Sequence, residues 1–73
     1  MLEELDRYEG KIVEIKLRNW DEYKDPIIVK PLQYLEEDYP SYLVEKQDSK
    51  RLLEIIEGEL IYVKPIGRGF KTE

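Results

Sequence analysis

Carboxylates are the most plentiful reactive groups in this chain: 17 of its 73 residues are Asp or Glu, and it contains neither histidine nor cysteine. Without histidine and cysteine, the commonest general base, the thiolate nucleophile and the usual transition-metal ligands are all missing. Carboxylates do acid–base work when two of them share a shielded cleft that drives their pKa values apart, and no spacing here marks such a pair. Glu36, Glu37 and Asp38 form an acidic knot that reads as a solvated turn, and they lack the ligand spacing of a calcium loop. Ser41 and Ser49 have no partner base. Gly67-x-Gly69 lacks the third glycine and the following helix of a phosphate loop. The expectation is a non-enzymatic protein with no cofactor and no metal.

Recognition chemistry is better represented than reaction chemistry. Six tyrosines, one tryptophan and one phenylalanine are many aromatics for so short a chain. Tyrosine and tryptophan offer a flat apolar face with a polar edge, suited to stacking on bases or anchoring a partner surface. Trp20 and Tyr23 stand in a polar segment beside Arg18 and Lys24 and form the best candidate for an exposed patch. The bland alternative folds Trp20 back onto a small core. Tyr42 and Tyr62 read either as core or as the rim of a barrel. Arg18, Lys30, Arg51 and Lys64 could together form a basic face for an anion. A competing surface is the aromatic and acidic stretch Tyr34, Glu36, Glu37, Asp38 and Tyr39, which would suit a basic protein partner.

Composition narrows the class. The net charge of −5 disfavours nonspecific attraction to nucleic acid. No apolar run approaches the ~20 residues of a spanning helix, and no basic-then-apolar leader opens the chain. These features lead to the expectation of a cytoplasmic protein with no membrane partner. Residues 1–73 are expected to form one small domain, with 66–73 as a loose tail. A chain of this length buries only about 60% of its unfolded surface, so its core is small.

The elements that would position these groups follow from the apolar period. Leu2, Leu5 and Tyr8 are spaced for a short helix, with acidic residues in its first turns and Gly10 just beyond. From Lys11 the period becomes two: Val13, Ile15 and Leu17 alternate with Glu14, Lys16 and Arg18, the clearest strand in the chain. Pro26-Ile27-Ile28-Val29-Lys30-Pro31 is a β-branched run between prolines, expected at a sheet edge or at a bend. Residues 32–39 either continue that strand or open a helix at Pro31. Tyr42-Leu43-Val44 and Leu60-Ile61-Tyr62-Val63 read as strands, and Asp48-Ser49 as a turn. Residues 49–57 are ambiguous: Leu52, Leu53, Ile55 and Ile56 fit a helical stripe that Asp48 or Ser49 would cap and Gly58 would end.

Taken in order, Val29-Lys30-Pro31-Leu32, Ser41-Tyr42-Leu43-Val44 and Lys50-Arg51-Leu52-Leu53-Glu54-Ile55 resemble the WYL domain, a small Sm-like β-barrel module. The resemblance extends from about Gly10 to Val63. Tyr42, Leu43 and Arg51 match its motifs directly. Ser41 stands where that family has its signature tryptophan, and Glu54 stands in place of the second arginine of the last motif. The resemblance implies an all-β fold, a five-stranded Sm/SH3-like barrel with a short N-terminal helix, and it draws residues 51–56 towards strand. The alternative is an α+β fold with a helix at about 49–57. It also implies a regulatory, ligand-sensing module, here standing alone without the DNA-binding domain to which such modules are often joined.

Two functions therefore compete. One is a regulatory module for a nucleotide or single-stranded nucleic acid, with Arg18, Trp20, Tyr23, Lys30, Tyr42 and Arg51 as ligand-binding residues. The other is an acidic adaptor or inhibitor that binds a basic protein, or imitates nucleic acid, through Tyr34, Glu36, Glu37, Asp38 and Tyr39. Assembly into a homo-oligomer through sheet edges is a further expectation.

Overall fold

The computed structural model describes residues 2–18, 20–36 and 38–66. Its elements, in chain order, are a short helix α1 (Glu3–Arg7), β1 (Val13–Leu17), a 3₁₀ turn (Asp21–Tyr23), β2 (Ile27–Glu36), β3 (Pro40–Lys46), β4 (Leu52–Ile56) and β5 (Leu60–Pro65). The five strands form one antiparallel sheet in the order β4-β3-β2-β1-β5. The fold is all-β with a short N-terminal helix. Residues 67–73, which include Gly67, Arg68, Gly69, Phe70 and Lys71, and most of the expected tail, lie outside the described residues.

Residues 52–56 form a strand, as the all-β reading expects, and the alternative helix at about 49–57 does not form. Within β4, Leu53 and Ile55 are buried while Leu52 and Glu54 are exposed. That is a two-residue alternation, so Leu52 does not join the apolar stripe on which the helical reading depended. Residues 32–36 likewise continue β2 and do not coil.

A flat sheet cannot satisfy this connectivity. β4 and β5 sit at opposite ends of the strand order, about 19 Å apart across four flat spacings, yet only three residues separate Ile56 from Leu60. Four extended steps reach about 14 Å at most. The sheet therefore curls until its two edge strands approach each other, although they do not pair. Gly58 takes φ 98° in this link, a left-handed conformation that glycine adopts without a Cβ clash.

Alternation fills the interior of the curl. Val13, Ile15 and Leu17 of β1 point inward with Val29, Tyr42, Val44, Leu53, Ile55 and Leu60. Leu2, which caps α1, Leu5 of α1 and Tyr23 of the 3₁₀ turn join the same cluster. The spacing of Leu2 and Leu5 thus docks the helix as the sequence predicts. A five-residue helix has no stability of its own, and this burial is what holds it.

The proline-bracketed run is not an edge strand. β2 lies between β1 and β3, but β1 pairs with it only over Ile27, Ile28 and Val29. Beyond that point β2 pairs with β3 alone, so the missing Pro31 amide breaks no ladder. The expected bend is present: the β2–β3 register shifts between Pro31 and Gln33, looping out Leu32. The Pro31 carbonyl accepts the Gly10 N–H at 2.8 Å, which ties the end of the helical segment to the bend. No helix among the described residues is long and apolar enough to cross a membrane.

Candidate functional site

The six residues expected to bind an anion are distributed over several places. Tyr42 is 0% exposed, so it presents no ring face to a ligand. Alternation on β3 turns it inward opposite Ile55, and its hydroxyl donates to Asp6 Oδ1 at 3.1 Å. Burial, followed by the Asp6 carboxylate, holds the Tyr42 hydroxyl well above the usual tyrosine range. It is a core residue that seats α1.

Trp20 and Tyr23 do come together, stacked with ring centroids 5.5 Å apart and planes inclined by 30°. The pair is turned inward, which follows the alternative in which Trp20 folds back onto the small core and not the exposed patch. Tyr23 is only 9% exposed and belongs to the core, and Trp20 packs half-buried against it. The sequence left the two alternatives open, because a buried aromatic in a polar loop carries no periodicity. Lys46 Nζ lies 5.4 Å from the Tyr23 ring centroid and also pairs with Asp48 at 2.7 Å. The Lys46 hydrogen bond holds the exposed Asp48 carboxyl below its usual value. Lys46 was not among the residues the sequence singled out.

The four cations expected to form a basic face stand on separate segments. Arg18 is exposed and its Nε–H donates to the Gly58 carbonyl at 3.2 Å, securing the β4–β5 link. Lys30 is half-buried on β2, opposite Glu45. Arg51 is exposed beside the β3–β4 turn, where its carbonyl accepts the Lys46 N–H at 2.8 Å. Lys64 lies over Tyr62, 4.8 Å from the ring centroid. The Tyr62 hydroxyl donates to Glu14 Oε2 at 2.6 Å, a bond that raises its pKa.

The aromatic and acidic set is different. Tyr34, Glu36, Asp38 and Tyr39 are exposed on the β2–β3 hairpin, with Tyr34 at 42% and Tyr39 at 61%; Glu37 lies outside the described residues. Tyr34 leans on Tyr42 across the ladder, their centroids 6.3 Å apart. It also lines a groove of about 320 Å³ with Leu2, Glu3, Asp6, Pro40 and Glu57. One wall is thus α1, another the hairpin, and the last the residue that follows β4. Three carboxylates and an aromatic ring surround a floor that is partly apolar.

That chemistry suits a cation with an aliphatic stem, as in a lysine or arginine side chain. Sequence reasoning found Tyr34 but missed Leu2, Glu3, Asp6, Pro40 and Glu57. Only the folding of α1 against the hairpin brings them together, and no local signal encodes it. Among the described residues no group of three or more acidic side chains is arranged to hold a metal ion. No family model, no curated protein and no solved structure matches this chain.

Proposed function

We propose that the protein is a small non-enzymatic binding module whose groove between α1 and the β2–β3 hairpin receives a basic segment of a protein partner. The observation that carries this reading is the gathering of Tyr34, Asp6, Glu3 and Glu57 around one concavity on a molecule of net charge −5. A lysine ammonium over an exposed ring gains about 0.5–1 kcal/mol, and each exposed ion pair adds ~1 kcal/mol or less. Specific binding then requires several such contacts, and Glu36, Asp38 and Tyr39 on the adjoining hairpin supply more of them. The net charge also speeds encounter with a basic partner.

A lysine- and arginine-rich peptide titrated into the full chain tests this. Binding is expected in about 50 mM salt and is expected to weaken severalfold near 300 mM as screening shortens the range of the charges. Tyr34→Ala should cost about five- to thirtyfold in affinity, the range of a modest interface anchor. Absence of binding by any basic peptide at the lower salt overturns the reading.

The nucleotide or single-stranded nucleic-acid reading draws support from one place, the Trp20–Tyr23 stack with Lys46 beside it. An oligonucleotide titration at the same low salt separates the two readings. The phosphate contribution is greatest there, and Trp20 is the chain's single tryptophan reporter.

A further inference from the structure

Among the described residues, β4 has a neighbour in the sheet on one side only. The Lys46 N–H donates to the Arg51 carbonyl, and the same register continues with Val44 opposite Leu53 and Tyr42 opposite Ile55. In an antiparallel ladder the hydrogen-bonded and non-hydrogen-bonded pairs alternate. Leu53 and Ile55 therefore spend their main-chain groups on β3, while Leu52, Glu54 and Ile56 turn theirs to the side where no strand pairs. The Ile56 groups are closed off by the turn: its N–H donates to Glu59 Oε1 at 3.1 Å and its carbonyl accepts the Glu59 N–H at 3.1 Å. Leu52 and Glu54 remain, presenting two donors and two acceptors in a row.

The usual protections of a sheet edge are unevenly shared. β5 carries Lys64, Pro65 and a register shift against β1. β4 contains neither lysine nor proline, and its Leu52 is 58% exposed. A strand edge of this kind is a template for an added strand. Its outward side chains, Leu52, Glu54 and Ile56, lie on one face in the order apolar, acidic, apolar. The Glu54 carboxylate is steadied by Ser41, whose hydroxyl donates to Oε2 at 2.7 Å from a position 1% exposed.

Resting on the groove reading above, we infer that the basic partner segment docks in extended form as a sixth strand along β4. It places a lysine or arginine opposite Glu54 and apolar residues opposite Leu52 and Ile56. Glu57, which follows β4 directly, also lines the groove, so a strand added here runs into the proposed site. A second copy of this chain is the poorer occupant. Two β4 strands paired antiparallel over their full length set Glu54 against Glu54, between molecules that each carry −5.

The test uses the full chain and a heptapeptide with leucine, lysine and leucine at alternate positions and threonine elsewhere. Binding is expected to slow hydrogen exchange at the Leu52 and Glu54 amides by at least about tenfold, because those amides are open in the free protein. Glu54→Pro removes an N–H that faces away from β3, so it is expected to abolish binding while the sheet is kept. Should that variant fail to fold, the same peptide N-methylated on its pairing amides is expected to lose binding to the unaltered protein. Glu54→Lys is expected to weaken the lysine peptide severalfold and to favour its glutamate counterpart. Binding without protection at Leu52 and Glu54 overturns the inference and leaves the groove reading in place; failure of every basic peptide removes both. Protection of these amides without peptide, together with a dimer in sedimentation, assigns the edge to a second copy and overturns the inference.

Discussion

The Tyr42 hydroxyl donates to Asp6 Oδ1 at 3.1 Å, joining β3 to the N-terminal helix across 36 positions of sequence. Tyr42 is the largest fully buried side chain among the described residues, and the helical segment brings Leu2 and Leu5 to the core. The bond therefore fixes where α1 sits, and with it one wall of the groove.

That bond gives the fold a base-side limit. The Tyr42 hydroxyl is held above its ordinary value by burial and Asp6, and Tyr62 is shifted the same way by its bond to Glu14. In the unfolded chain both titrate near pH 10. Above that point the native state holds more protons than the unfolded one, so stability falls with rising pH. Below it, the contribution is fully present. Urea unfolding from pH ~8 to ~11 should show this decline, and Tyr42→Phe should flatten it. At neutral pH that variant should cost about 0.5–1.5 kcal/mol, the net worth of one hydrogen bond.

Asp48 sets a smaller limit in acid. Its carboxyl is lowered chiefly by the hydrogen bond from Lys46, so this contribution is present above the unfolded carboxylate value near 4 and fades as pH falls through the lower folded one. Lys46→Met should reduce the loss of stability between pH ~5 and ~3, read by the same unfolding experiment. Because the Asp48 carboxylate is largely exposed, the change should be small.

Substitutions along β4 should alternate in severity. Ile55→Ala empties a fully buried site and should cost about 2–5 kcal/mol. A domain this size has about 4–11 kcal/mol in all, so the loss should show as a large drop in melting temperature. Leu52→Ser, at a largely exposed position, should stay within ~0.5 kcal/mol. Equal sensitivity at positions 52 and 55 would contradict the strand.

Two of the three positive-φ positions among the described residues should respond with opposite sign. Lys50 holds φ 62° at the end of the β3–β4 turn. A left-handed conformation costs a side-chain-bearing residue roughly 1–2 kcal/mol, and the extra chain entropy of glycine returns part of that. Lys50→Gly should therefore raise stability by about 0.5–1 kcal/mol. Gly58→Ala should lower it by about 1–2 kcal/mol from backbone strain alone, since no atom lies within 4 Å of the added methyl. Thermal melts of the two variants check both.

The strands that alternate cleanly were legible in the sequence. Val13, Ile15 and Leu17 announce β1, and Leu2 with Leu5 announces the docked helix. Residues 52–56 were ambiguous because four of the five are apolar, which satisfies a helical stripe and a half-buried strand alike. Burial of Leu53 and Ile55 but not Leu52 resolves it, and that depends on partner strands. The candidate site was less legible for a related reason. Trp20 and Tyr23 stand among polar neighbours yet pack inward, because a small core recruits aromatics from wherever the chain passes. The groove joins Leu2, Tyr34 and Glu57, residues drawn from three separate segments, so no local pattern could reveal it.

The pairing of β1 with β5 has a consequence for biogenesis. β1 finds one of its partners in β5, so a growing polypeptide on the ribosome holds Val13, Ile15 and Leu17 only half covered until residues 60–65 have emerged. Synthesis should therefore yield the finished sheet late and in a single concerted step, and nascent chains stopped before Leu60 should be the ones that chaperones and proteases find.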